Sequence, residues 1–404
     1  MVIEENTMIR RDIYLDELKS FKDKDLIKAV TGAAKCGKST LFDLYMDYLF
    51  SIGIDKEQII HINFEDGDYE FITNYKELYE YVKSKLVPDK MNYVFLDEVQ
   101  NIEMFQKAVD SLYVKKNVDL YITGSNAYLL SGDLATLLSG RYVEIKMLPL
   151  SFKEYISYIG EGDLLKKYSD YTVKGSLPYI LSLDNSKEIR AYYDGVYNSI
   201  LIKDIASRKG INDLQMLDSV IKYMFDIVGS ICSSTNIANT MTSAGRKISV
   251  PTVESYLNAL VDAFVLYRVN RYDVKGKQYL TTGVKYYLSD TGLRFYLLGS
   301  KKVDEGHILE NIVYLELLRR GYEVYVGKYD DREVDFIAIN EKGEEYYQVA
   351  YTVREENTLK RELASLENIN DHNPKYLLTM DLTPYTSHNG IKQINVLDWL
   401  LDKE

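Results

Sequence analysis

The stretch Gly32-Ala33-Ala34-Lys35-Cys36-Gly37-Lys38-Ser39 constrains this chain more than any other. An apolar run, Leu26–Thr31, precedes it, and Thr40–Ser51 follows with apolar residues at helical spacing. A glycine-bounded loop ending in Lys-Ser between a strand and a helix is built to wrap a polyphosphate. Its glycines let backbone amides curl round phosphate oxygens, and the helix aims its positive end at them. Gly32, Ala33, Ala34, Lys35, Cys36, Gly37, Lys38, Ser39 and Thr40 are therefore expected to line the nucleotide. The Lys38 ammonium is expected on the β- and γ-phosphates and the Ser39 hydroxyl on Mg²⁺.

Further apolar runs at Ile59–Phe64, Tyr93–Leu96, Leu120–Thr123 and Tyr142–Met147 alternate with amphipathic segments. That alternation predicts a parallel α/β sheet. The Tyr93 run ends in Asp97-Glu98. Asp97 is placed to hold magnesium through water and Glu98 to polarise the attacking water. Carboxylate pairs also cap helices, but the phosphate loop upstream favours the catalytic role. Gly124-Ser125-Asn126 ends the next strand; beside a γ-phosphate such a cluster senses phosphate and positions water, and it is also good turn chemistry.

At 404 residues the chain suits two to four domains. Its net charge of −12 argues against a general nucleic-acid coat protein. Cys36 and Cys232 are the two cysteines, which excludes a disulfide framework and fits a reducing cytoplasm. No apolar run approaches the ~18–20 residues of a membrane span, so no membrane partner is expected.

Residues 1–150 read as the P-loop core and 151–204 as a helical lid. Within 205–300, Leu214–Val228, a short helix capped by Ser234 and Thr235, and a helix capped by Ser249 precede two strand-like runs. Those runs, Val265–Arg271 and Lys285–Leu288, are joined through Lys275-Gly276-Lys277. Three helices and a hairpin suggest a winged helix; a helical lid with a hairpin and no DNA contact fits the same order. From Ile205 to Ser300 there are eleven Lys/Arg against seven Asp/Glu, and from Lys301 onward thirteen against twenty-one. The middle suits a polyanion better than the tail does. In 301–404 a helix is expected over His307–Arg320, strands near Glu323–Val326, Val334–Ala338, Tyr346–Tyr351 and Lys375–Thr379, and a charged helix over Asn357–Leu366. The thirty-seven tyrosines read as packing, and His61 and His307 as structural. Cys36, within the phosphate loop, reads as a small tolerated residue, though a helix N-terminus lowers thiol pKa and favours oxidation.

From Leu26 to about Phe152, TGAAKCGKST, YVFLDEVQ, YITGSNAYLL and LLSGRYVEIKMLPLSFKEY resemble the AAA+-like, archaeal-type predicted P-loop ATPases of prokaryotes. Members couple this ATPase to an uncharacterised C-terminal region ending in a PD-(D/E)xK restriction-endonuclease-like domain. The resemblance implies ATP and Mg as cofactors, and the lack of a guanine-reading motif agrees. It puts Ser125 or Asn126 at the sensor position and makes Arg141 an arginine finger acting within a homo-oligomer. The other role for Arg141 is a cation at a helix C-terminus. Gly175-Ser176-Leu177-Pro178 resembles a Gly-x-Pro lid element, one residue longer, which implies an adenine contact by Pro178. Glu310, Asp335 and Gln348 stand where the nuclease type holds its metal, but Ala350 occupies the lysine position. That strand supplies no charge for hydrolysis unless a neighbour such as Lys360 reaches in. The fold expected is thus a P-loop NTPase parallel sheet, a helical lid, a winged-helix-like domain and a nuclease-like α/β domain. The function implied is a Mg-dependent ATPase switch or motor acting on DNA. The alternatives are an ATP-regulated protein-interaction switch with a non-cutting docking domain, or an ATP-dependent nuclease.

Overall fold

The computed structural model describes residues 9–130, 138, 140–160, 162–198, 205–206, 210–276, 278–299, 304–382 and 386–403. They divide into two compact units. The first holds the described residues up to Pro149 with Leu177–Tyr179 and Asp262–Phe264; the second holds the rest. Among the described residues no helix is long and apolar enough to cross a membrane.

Every apolar run expected in the first unit is a strand. In chain order it contains α1 (Asp12–Ser20), β1 (Ile27–Thr31), α2 (Lys38–Ser51), β2 (Ile59–Asn63), α3 (Tyr75–Lys85), β3 (Asn92–Asp97), α4 (Phe105–Tyr113), β4 (Val118–Gly124) and β5 (Tyr142–Lys146). The sheet order is β2-β3-β4-β1-β5, with every pair parallel. β1 and β3 are buried at every position, which is why they read as continuous apolar runs rather than alternating ones. One face buries Ala29, Val94, Leu96 and Ile122 with Leu78 of α3 and Val109 and Leu112 of α4. On the other, Phe42 of α2 meets Phe95 edge-on with ring centres 5.1 Å apart, and Phe95 stacks on Tyr121 at 4.7 Å. The buried Lys28 ammonium, which pairs with Asp119, lies 5.3 Å from the Tyr121 ring centre. The helix expected before Arg141 falls on 131–137 and 139, outside the described residues.

The second unit begins with α5 (Phe152–Ile159), α6 (Leu164–Lys174), α7 (Ser186–Gly195), α8 (Leu214–Asp226), α9 (Ser234–Ser243) and α10 (Val250–Asp262). The hairpin β6 (Leu266–Asp273) and β7 (Gln278–Leu288), α11 (Thr291–Leu298), α12 (Glu305–Arg319), β8 (Glu323–Tyr329), β9 (Arg332–Asn340) and β10 (Gly343–Ala350) follow. The chain then forms α13 (Glu356–Glu367), β11 (Lys375–Thr379), β12 (Thr386–His388), β13 (Ile391–Asn395) and α14 (Val396–Leu400). Helices α8–α10 and the hairpin occur where three helices and a wing were expected. The hairpin does not stand free: β6 pairs parallel with β8, Arg271 facing Val326, in an eight-stranded sheet ordered β12-β13-β11-β10-β9-β8-β6-β7. One sheet therefore runs through the boundary expected at residues 300 and 301. Lys277, expected in the hairpin turn, lies outside the described residues.

Asp290 ties several helices of this unit together. One carboxylate oxygen caps α11 through the Leu293 N–H at 2.8 Å and accepts from the Tyr193 hydroxyl at 2.7 Å. The other accepts from the Ser176 N–H at 2.6 Å and the Ser176 hydroxyl at 2.9 Å. Asp290 is buried, so truncation strands several donors away from water. Asp290→Ala is expected to destabilise the second unit by about 3 kcal/mol or more, read as a lowered urea midpoint. A loss below about 1 kcal/mol contradicts this role.

Candidate functional site

The loop between β1 and α2 takes backbone conformations that its sequence was chosen to permit. Gly32 has φ +152° and Gly37 φ +104°, where side chains are rarely tolerated. A Cβ on Gly32 would stand 2.1 Å from the Met147 carbonyl oxygen. Arg11 fastens this loop from behind: its guanidinium is buried and donates to the Cys36 carbonyl at 2.8 Å and the Leu148 carbonyl at 2.5 Å. Lys38 is buried and donates to the carbonyls of Gly32 at 3.1 Å and Ala33 at 3.3 Å. Ser39 and Lys35 are exposed, and Ala34 and Thr40 half-buried. The Cys36 side chain is wholly buried toward the Met147 carbonyl, so only its backbone is available to a nucleotide. Burial pushes the Cys36 thiol up, against the lowering that a helix N-terminus would favour.

Sheet order brings the other expected groups to this loop. β4 lies between β1 and β3, so the ends of all three strands are neighbours. Thr123, at the end of β4, holds both Walker carboxylate residues: its hydroxyl donates to Asp97 Oδ1 and accepts from the Glu98 N–H at 2.8 Å. Glu98 itself has φ +52°, a costly conformation for a residue with a side chain, and this bond helps to hold it. Its Oε1 lies 3.5 Å from Lys38 Nζ, while its Oε2 accepts from Gln100. Burial raises the Glu98 pKa, but the Lys38 charge and bonds from Gln100 and Ser125 outweigh it and leave the carboxyl below its ordinary value. Ser125 Oγ is 3.5 Å from Gln100 Nε2, and Asn126 is buried beside it with its carbonyl on the Leu129 N–H.

Asp97 Oδ2 is buried without a hydrogen-bond partner. An orphaned carboxylate oxygen at the end of β3 and an exposed serine at the start of α2 suit a hydrated Mg²⁺ shared with phosphate oxygens, and Asp97 and Ser39 are the residues that would hold it. Pro178 lies close to the loop, its Cγ 3.6 Å from where a Gly37 Cβ would stand. Arg141 is about 43% exposed in its side chain, paired with Asp110 and 5.5 Å from the Tyr113 ring centre. A finger role for Arg141 requires release from Asp110.

Glu310, Asp335 and Gln348 also converge, in a buried cluster of the second unit, where each already has a protein hydrogen-bond partner. Glu310 Oε1 accepts from Lys285 Nζ at 2.7 Å and from the Tyr287 hydroxyl. Asp335 Oδ2 accepts from the Val349 N–H at 2.8 Å. Gln348 donates to Glu362 at 2.8 Å and accepts from the Asp335 N–H at 3.3 Å. Among the described residues, no three His, Cys, Asp or Glu side chains are arranged to hold a metal ion. Lys360 does not reach the cluster; it is exposed and paired with Glu356. Lys285 of β7 enters the cluster from outside that strand and, besides Glu310, lies 2.7 Å from Glu333. Burial lowers the Lys285 pKa, but the facing Glu310, Asp335 and Glu333 outweigh it and raise the ammonium. Burial, then Glu310, pushes the Asp335 carboxyl well up.

Arg11, Gln100, Thr123 and Lys285 escaped the sequence reading. Gln100 and Thr123 carried a signal, as members of the YVFLDEVQ and YITGSNAYLL stretches.

Residues 24–156 match the AAA domain family, and residues 165–304 match a domain of unknown function (DUF8612). An uncharacterized protein of Haemophilus influenzae is 42% identical over 399 residues, covering 98% of this chain and 99% of that protein. An uncharacterized protein of Methanocaldococcus jannaschii is 31% identical over 381 residues, covering 89% of this chain and 81% of that protein. Among solved structures, the Walker-type ATPase of Pyrococcus abyssi is 13% identical and covers 72% of this chain and 96% of its own, with a TM-score of 0.45.

Lys38→Ala is expected to weaken ATP binding by about 30-fold or more, which corresponds to ~2 kcal/mol of lost charge-assisted bonding. Titration with a fluorescent ATP analogue checks this, and unchanged affinity contradicts the phosphate role of Lys38.

Proposed function

We propose that this chain, which matches the AAA domain family over residues 24–156 and belongs to one family with the 42% identical Haemophilus influenzae protein, is a Mg-dependent ATP-driven switch that acts on DNA. The observation that carries this reading is the meeting of Lys38 and Glu98 at 3.5 Å beside the unpartnered oxygen of Asp97. Lys38 is the counter-ion of Glu98 at 3.5 Å. Phosphate oxygens compete for that ammonium, and Glu98 is then free to take a proton from water attacking the γ-phosphorus. Magnesium supplies charge neutralisation when bound; Ser39 and Asp97 orient it. Ser125 and Asn126, just past the end of β4 between the carboxylate-bearing β3 and the phosphate-loop strand β1, are suited to register the γ-phosphate. Pro178 packs near the loop and suits an adenine contact, and Arg141 suits a neighbouring copy's phosphate.

DNA is the proposed partner because α8–α10 with the β6–β7 hairpin lie in the stretch with excess positive charge. Glu98→Gln is expected to keep ATP affinity and lose turnover by about 10²-fold or more. ATPase assays with single-stranded DNA, duplex DNA, RNA and no polymer, at one stated salt, test the partner. A rate changed by DNA supports the reading; a rate indifferent to every polymer counts against it.

The engaged cluster around Lys285 favours a second reading of the nuclease-like end, as a docking module that does not cut. Lys285 pairs with Glu310 and Glu333, each at 2.7 Å, and its charge also offsets that of Asp335, which reduces the call for a divalent cation. Wild-type protein is expected to leave supercoiled plasmid intact in Mg²⁺ or Mn²⁺. Nicking that Asp335→Ala abolishes contradicts this reading.

A further inference from the structure

Gln100 lies two residues beyond the carboxylate pair and joins two groups that no sequence pattern links. Its amide nitrogen donates to Glu98 Oε2 and lies 3.5 Å from Ser125 Oγ. Its carbonyl oxygen is buried without a hydrogen-bond partner. That oxygen packs against Gly124, where an added Cβ would stand 2.9 Å from it. The seat for this carboxamide therefore exists because β4 ends in glycine.

The two oxygens of Glu98 have different partners. Oε1 faces Lys38, a cation that phosphate oxygens draw away. Oε2 is held by a neutral amide that a phosphate does not displace. The backbone of Glu98 is fixed by its N–H on Thr123, so Gln100 restrains the far end of a side chain whose near end is already set. Without that restraint the carboxylate has several rotamers open to it, and misplacement by about 1 Å is enough to cost on the order of 10²-fold in rate.

We propose that Gln100 is a positioning residue for ATP turnover, holding Glu98 by Oε2 so that Oε1 is presented to the attacking water once Lys38 engages the phosphates. Through its approach to Ser125 it also ties that carboxylate to the end of β4, where the γ-phosphate is registered. This inference rests on the ATPase reading of the site.

Turnover and fluorescent-ATP affinity of the full chain test it, in wild type, Gln100→Met, Glu98→Gln and the double variant. Methionine keeps the length and removes the donor. Gln100→Met is expected to lower kcat about tenfold or more with KM and ATP affinity unchanged. In the Glu98→Gln background it is expected to lower turnover no further, because its effect passes through Glu98. Gly124→Ala, which displaces the carboxamide without altering Gln100, is expected to lower kcat in the same sense. Wild-type kcat in Gln100→Met, with Glu98→Gln slow, overturns this inference and leaves the ATPase reading standing. Equal fold-losses in both backgrounds overturn it too, since Gln100 would then act elsewhere. Absence of turnover by wild type overturns both.

Discussion

The placement of β4 between β1 and β3 is the constraint on which this site depends. Two parallel strands side by side would bring the phosphate loop and the carboxylate pair close with nothing between them. With β4 inserted, Thr123 stands where it can bond to both Asp97 and Glu98, and Ser125 and Asn126 follow at the strand end. Ligands of open α/β sheets gather at the carboxyl ends of the strands, and here those ends carry the phosphate loop, Asp97, Glu98 and Thr123.

Local strain and local support occur together at these strand ends. Glu98 adopts a left-handed backbone conformation, and Gly32 lies where any side chain would collide with Met147. Such geometry persists only where surrounding bonds over-determine it. Arg11 on the loop carbonyl, Thr123 on the Glu98 N–H and Gln100 on the Glu98 carboxylate are those bonds. Lys38 is held more loosely, by two carbonyls and one carboxylate at 3.1–3.5 Å, as suits a group that must change partners.

Much of this was legible in the chain, and the divide has a physical basis. Gly32 to Ser39 announce themselves because phosphate binding needs fixed residue types at fixed local spacing. The five strands of the first unit were legible because burial on both faces leaves continuous apolar runs. Arg11 was not, since its partner Leu148 is 137 residues away and nothing local distinguishes it from a surface arginine. Lys285 was hidden similarly: its partner Glu310 is 25 residues away, and β7 was expected in another domain. The fused sheet was missed because pairing between β6 and β8 leaves no trace in either strand's periodicity. β12 was too short to give a periodic signal, and β13, with Lys392 and Gln393 between Ile391 and Ile394, shows neither an apolar run nor an alternation.

The central claim is that the Lys38 ammonium exchanges Glu98 for phosphate. A crystal structure of the Glu98→Gln protein with ATP and Mg²⁺ tests it most directly. The account predicts a triphosphate wrapped by residues 32–39, with Lys38 Nζ on the β- and γ-phosphates and the cation between Ser39 and the Asp97 carboxylate. Nucleotide bound elsewhere, or Lys38 still lying on the Gly32 and Ala33 carbonyls beside a bound triphosphate, would contradict it.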